Sequence, residues 1–241
     1  MVGIPQVGMD GQGKSDKVRG KHPVEDVIYD RLVDAIIDKH LRPGQHLNEV
    51  KLADAYGVPR SRVRRVLERL RDEDVVVFEL NKGAFISRPT IEDAHNVFEA
   101  RRHLECVVVR LACERATADD IDSLRRHLAD EREAFEALRP NVNRTAAEFH
   151  VLIAEIAGNP VLERMLGLLI RRCVLVQSVY EKKSGILCLT DEHSHLVECI
   201  AENHPDAAAA QMAHHFDHIV SSLDLTETRR NEVDIYEFAR S

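Results

Sequence analysis

Two short β-rich runs, 75–78 and 84–87, bracket the turn Asn81-Lys82-Gly83 and form the one hairpin signal of weight in the chain. On both sides of it apolar residues recur at helical spacing. The chain is therefore restricted to a mostly α fold with one small β element. Over 24–39 the positions Ile28, Leu32, Ala35 and Ile36 repeat at the helical period, and Arg42-Pro43-Gly44 breaks it. Asn48 suits the N-cap of a short helix running to Tyr56, and Gly57 suits the tight turn that follows. A third helix is predicted over 59–72, with Val63, Val66, Leu67 and Leu70 as its apolar stripe and Arg60 and Arg64 together on another face. Helix, short helix, turn, basic helix and a two-stranded wing is the order of a winged helix-turn-helix, which Pro89 closes.

Beyond Pro89, Thr90-Ile91-Glu92-Asp93 and Thr117-Ala118-Asp119-Asp120 place Asp where a capping box has Glu or Gln, so helices are expected from near 91 and 118. Further helices are predicted over 143–157, 160–182, 191–202 and 205–223, with breaks at Gly158-Asn159, Ser184-Gly185 and Asn203-His204. The second part reads as an antiparallel all-α bundle of six to seven helices. The expected division is a disordered arm over 1–22, a winged helix-turn-helix domain over 23–89, a helical domain over 90–225 and a tail over 226–241.

A formal charge of −8 is the wrong sign for a nucleic-acid binder only when it is averaged over the chain. Residues 1–88 hold 16 basic against 14 acidic side chains, and residues 89–241 hold 17 against 27. The acidity belongs to the bundle, while 60–71 carries six arginines against the single acid Glu68. Such a helix can offer Arg60 and Arg64 to guanine edges in a major groove. Ser61, Lys82 and Gly83 suit the DNA backbone, and Arg62, Arg65 and Arg69 lie on a flanking face. For an isolated helix a solvated arginine face would be an equally good account; the order of elements around it favours DNA.

Five cysteines without a CxxC pair predict a reduced, cytoplasmic protein, and no run of eighteen apolar residues or signal-like segment predicts a membrane span or export.

The motifs Leu41-Arg42-Pro43-Gly44, Leu47-Asn48-Glu49, Leu52-Ala53, Gly57-Val58-Pro59-Arg60-Ser61-Arg62-Val63-Arg64 and Asn81-Lys82-Gly83-Ala84-Phe85-Ile86 resemble the GntR family of regulators over 24–88. The chain departs from the family pattern in having Pro59 before the first arginine and Ser61-Arg62 after it. Arg65 also stands where the family commonly has an acid.

In the second part, His193 falls in line with Leu196, Val197 and Ile200, and His215 shares a stripe with Met212, Ile219 and Leu223. His150 sits beside the small residues Ala146, Ala154 and Ala157. A lone inward histidine is more often a satisfied core residue than a ligand, but three on three helices suit a borderline divalent ion such as zinc or nickel. The motifs Ala100-Arg101-Arg102-His103-Leu104-Glu105, Glu148-Phe149-His150, Gly158-Asn159-Pro160, Glu192-His193 and Met212-Ala213-His214-His215 are similar to the FCD sensor domain of the FadR-like GntR branch over 91–224. That resemblance implies metal ligands at His150, His193 and His215, with Ala146 where the family's metal-binding members have an acidic ligand. Either three histidines hold a metal with water or effector at the open position, or the imidazoles act as donors without metal. Arg101, on the face of Ala94, Val97, Leu104 and Val108, needs an anion, which is Glu105 at i,i+4 or an effector carboxylate.

The reading that results is a ligand-responsive homodimeric repressor released from a pseudo-palindromic operator by a small organic acid bound at Arg101, His150, His193 and His215. Its rivals are a metal-dependent hydrolase built on the three histidines, which lacks an HExxH helix, and a winged-helix protein-interaction scaffold.

Overall fold

The computed structural model describes residues 23–137, 139, 142–182 and 190–226. The expected arm over 1–22, the Ser184-Gly185 break, Cys188 and the tail beyond 226 lie outside the described residues. The first three helices are α1 (Pro23–Ile37), α2 (Glu49–Tyr56) and α3 (Arg60–Asp72). Between them lies strand β1 (His46–Leu47), and β2 (Val76–Glu79) and β3 (Gly83–Ile86) follow.

Local chemistry sets most of these boundaries. The Asn48 side chain accepts hydrogen bonds from the Val50 and Lys51 amides at the start of α2, and Gly57 ends it at φ 64°. Gly83 takes φ 97°, and a Cβ there would lie 3.1 Å from the His46 ring, so the local fold of the wing itself calls for glycine.

The wing has three strands where the sequence predicts two. They run antiparallel in the order β1-β3-β2, with His46 opposite Phe85 and Val76 opposite Ile86. Gly44 donates to the Ile86 carbonyl at 2.8 Å and Ile86 to the Gln45 carbonyl at 2.9 Å, so β1 covers an edge that β3 would otherwise leave unpaired. A two-residue strand has no alternation to read.

The bundle comprises α4 (Ile91–Arg115), α5 (Ala118–Glu136), α6 (Val142–Ile156), α7 (Pro160–Tyr180), α8 (Thr190–Ala201) and α9 (Pro205–Ser221). Thr90 with Asp93 and Thr117 with Asp120 form complete capping boxes, and Asn159 caps α7 ahead of Pro160. Helix α4 is central, packing on α6, α7, α8 and α9.

Helix α7 serves both halves of the chain. Leu166, Ile170, Cys173 and Val176 belong to the bundle core. Val174 and Leu175 instead close the winged-helix core, alongside Ile28, Leu32, Val63, Leu67 and Ile86. Around this apolar contact Arg144 of α6 bonds Asp34 of α1 and Asp38 in the turn that follows it, Arg171 bonds Glu73, and Lys39 pairs with Glu181.

Candidate functional site

Two constellations carry chemistry, the cationic face of α3 and a buried histidine cluster in the bundle. On α3 the apolar stripe Val63, Val66, Leu67 and Leu70 is buried, which turns the arginines outward. The side chains of Arg60, Arg64 and Arg65 are 64%, 54% and 49% exposed, and Ser61 is exposed in the first turn. The fold brings acids to this face that are remote in sequence. Glu49, the first residue of α2, accepts from Arg60 Nε at 2.6 Å and lies 3.6 Å from Arg64 Nη1. Arg64 also bonds Glu68 at 3.1 Å and sits over the Phe78 ring.

Glu25 of α1 accepts from Arg65 and lies 3.5 Å from Arg62, so these two arginines are braced toward the first helix. Arg69 stacks on Tyr29, 3.5 Å from its ring centre, and pairs with Asp26. Lys82, exposed at the wing tip, bonds Glu79 at 2.9 Å. The contiguous cationic stretch read from sequence thus divides in space, with Arg60 and Arg64 on the α2 side and Arg62, Arg65 and Arg69 on the α1 side.

In the bundle, helical phase directs His150 of α6, His193 of α8 and His215 of α9 inward, where they are 3%, 1% and 0% exposed. One ring nitrogen from each lies within 4.8 Å of the others. Each histidine directs its Nδ1 to a carboxylate, His150 to Glu105, His193 to Glu131 at 2.8 Å and His215 to Glu192 at 2.8 Å.

An ionised carboxylate only accepts, so Nδ1 is the donor in each contact, and Nε2 is the nitrogen left to face the cluster. The Nε2 atoms of His193 and His215 are buried without a hydrogen-bond partner. Burial pushes His150 down to about 3 against the pull of Glu105, and it lowers His215 as well. Burial alone would raise Glu105, but His150 and Arg101 outweigh it and hold the carboxyl at about 2. Glu105 thus accepts from both His150 and Arg101, and both contacts favour its ionised form.

Three imidazoles with one nitrogen of each converging and Nδ1 turned outward to a carboxylate match the donor set of a borderline divalent metal. With the proton on Nδ1, a neutral ring presents Nε2 to the cluster as an acceptor, whereas a protonated ring presents it as a donor. Among the described residues the grouping consists of the three histidines, and Ala146, half-buried on α6, adds no ligand atom.

Arg101 is 6% exposed, and Glu105 is the anionic partner that the structure gives it. Its Nε donates to Glu105 at 2.6 Å, while its Nη2 is buried without a hydrogen-bond partner. The guanidinium lies 5.0 Å from the Phe216 ring centre, and that ring in turn packs against His150 and His215. Arg101 and the cluster therefore share Glu105 and Phe216.

The supporting carboxylates Glu131 and Glu192 went unassigned in the sequence. Glu192 adjoins His193 and could have been suspected; Glu131 lies within the charged run Asp130-Glu131-Arg132-Glu133 and carries no distinguishing signal.

Comparison with known proteins gives concordant matches. Residues 25–86 match the family described as bacterial regulatory proteins, gntR family, and residues 96–218 match the FCD domain. The Nta operon transcriptional regulator of Aminobacter aminovorans is 30% identical over 191 residues, covering 78% of this chain and 90% of that protein. The HTH-type transcriptional repressor NanR of Citrobacter rodentium is 25% identical over 234 residues, covering 87% and 88%. The fold is similar to that of E. coli McbR/YncC, with a TM-score of 0.75 at 18% identity over 83% of this chain and 96% of that one. No described helix is long and apolar enough to cross a membrane.

Proposed function

From the premise that this chain belongs to the GntR family of bacterial regulatory proteins and carries an FCD domain, we propose that it is a homodimeric repressor that leaves a pseudo-palindromic operator when its helical domain binds a small carboxylate metabolite. At the coarser level the chain is a DNA-binding transcriptional regulator of GntR/FCD type and not an enzyme, so the hydrolase and the protein scaffold weighed from sequence both fall away.

The sign of regulation takes its support from the relative named a repressor. Operator reading is assigned to Arg60 and Arg64, with Ser61, Arg62, Arg65, Lys82 and Gly83 toward the phosphates. A homodimer is the assembly whose two-fold symmetry would match the proposed operator.

One observation carries the sensing half, the convergence of three imidazoles whose Nδ1 protons are all turned outward to carboxylates. A divalent metal, zinc or nickel, would be held by His150, His193 and His215 and would supply an electrophilic anchor for the effector's carboxylate. The unpartnered Arg101 Nη2 supplies a buried cationic N–H for the same anion.

The test is selection of bound sequences from random duplex DNA at two salt concentrations, with an Arg60→Ala, Arg64→Ala double variant as control. The expected result is a short palindrome enriched by the parent protein and lost by the double variant. Metal content is then measured, and organic acids are screened for release of that operator. Weak binding that salt abolishes, with no sequence enriched, would overturn the assignment of operator reading to α3.

A further inference from the structure

Glu49 is the one charged residue buried in the winged helix among the described residues, at 8% exposed. It stands in the first turn of α2, where a carboxylate is favoured by the helix dipole, and its two oxygens face two different arginines of α3. Arg60 spends Nε on Glu49, which leaves both of its terminal nitrogens free to fork toward a base edge. Arg64 is fixed between Glu49, Glu68 and the Phe78 ring.

Near DNA a carboxylate is electrostatically unfavourable, because phosphates repel it and it neutralises the cations they attract. A buried acid at this place therefore needs a compensating role. Orientation supplies one. Arginine is long and rotamer-rich, and fixing its guanidinium before contact removes an ordering cost that the complex would otherwise bear.

We infer that Glu49 is the positioning residue of the DNA-reading surface, presetting the Arg60 and Arg64 guanidiniums for base edges while touching no DNA itself. This rests on the reading of α3 as the operator-facing helix. The inference makes a prediction opposite in sign to simple electrostatics. Removing a negative charge beside DNA should tighten all binding, whereas removing a positioning group should weaken operator binding and leave unrelated DNA bound as well or better.

The test uses the full-length protein with the operator obtained above and an unrelated duplex of equal length. It compares Glu49→Gln, Glu49→Ala and the Arg60→Ala, Arg64→Ala double variant, each checked by thermal unfolding; the isosteric Gln variant carries the reading if the Ala variant does not fold. The expected result for Glu49→Gln is a fall of about tenfold or more in the ratio of operator to unrelated affinity, with unchanged or tighter binding to the unrelated duplex. Its base preference should relax at the positions that the double variant loses. If Glu49→Gln keeps the ratio while the double variant loses it, Glu49 is merely structural and operator reading by α3 stands. Tighter operator binding with the ratio intact would show Glu49 to be a competitor of DNA for the arginines, which also overturns the inference. If the double variant itself keeps the ratio, the reading of α3 fails and the role of Glu49 fails with it.

Discussion

Glu131 accepts the Nδ1 proton of His193 from a third helix, so it decides which nitrogen of that ring faces the cluster. Glu131→Gln can offer the ring an amide oxygen but not a charge, and it should lower metal affinity by roughly 10–100-fold, read by competition against a chelator, with the helical content retained. Full metal retention in a folded Glu131→Gln would remove the carboxylate from any role in the site. The histidines themselves were legible because helical phase alone sets which face a residue occupies: His193 lines up with Leu196 and Ile200, and all three are buried. Their carboxylates were not, since Glu105, Glu131 and Glu192 reach them from other helices and no local rule relates the pairs. Glu25 and Glu49 were missed beside the arginines for the same reason, lying 40 and 11 residues before the partners they bond.

Helix starts were the most readable elements, because a cap is a contact between residues three apart. Thr90 and Thr117 both close the boxes that their spacing with Asp93 and Asp120 predicts. Backbone and hydroxyl hydrogen bonds from Thr90 hold the Asp93 carboxyl below its ordinary 3.8, and the hydroxyl and backbone of Thr117 do the same for Asp120. A folded-state value below the unfolded one means stability that is present above about pH 4 and is lost as pH falls through the depressed value. Asp93→Ala should therefore cost ~1 kcal/mol near neutrality, read from thermal unfolding, and the gap from the parent protein should narrow as pH is lowered toward about 3. A gap that stays constant with pH would mean that the loss comes from packing and not from the cap. Strand β1 was the element that sequence could not show, because its existence depends on the open edge of β3 and on no pattern of its own.

At the scale of the whole molecule, the winged helix and the bundle meet through a junction built on the helices that carry His150 and the Arg101 contact. Helix α6 carries Arg144 near one end and His150 six residues later, a rise of about 9 Å along the helix. Arg144 grips Asp38 with Nε and Nη2 and Asp34 with Nη1, so one side chain ties the helix of His150 to α1. Helix α7 makes a second tie, since Cys173 contacts Arg101 while Val174 and Leu175 enter the winged-helix core. A change at the histidine cluster that shifts α6 must therefore either strain the Arg144 clamp or carry α1 with it, and α1 braces α3 through Glu25 and Asp26. Arg144→Ala should leave metal content unchanged and operator affinity within a few-fold of the parent. The change in operator affinity on removing metal or adding effector, of order 1–3 kcal/mol for a coupled pair of sites, should shrink toward zero. Coupling retained in full by a folded Arg144→Ala protein would place the connection in α7 instead, where Leu175→Ala is the variant that should then abolish it.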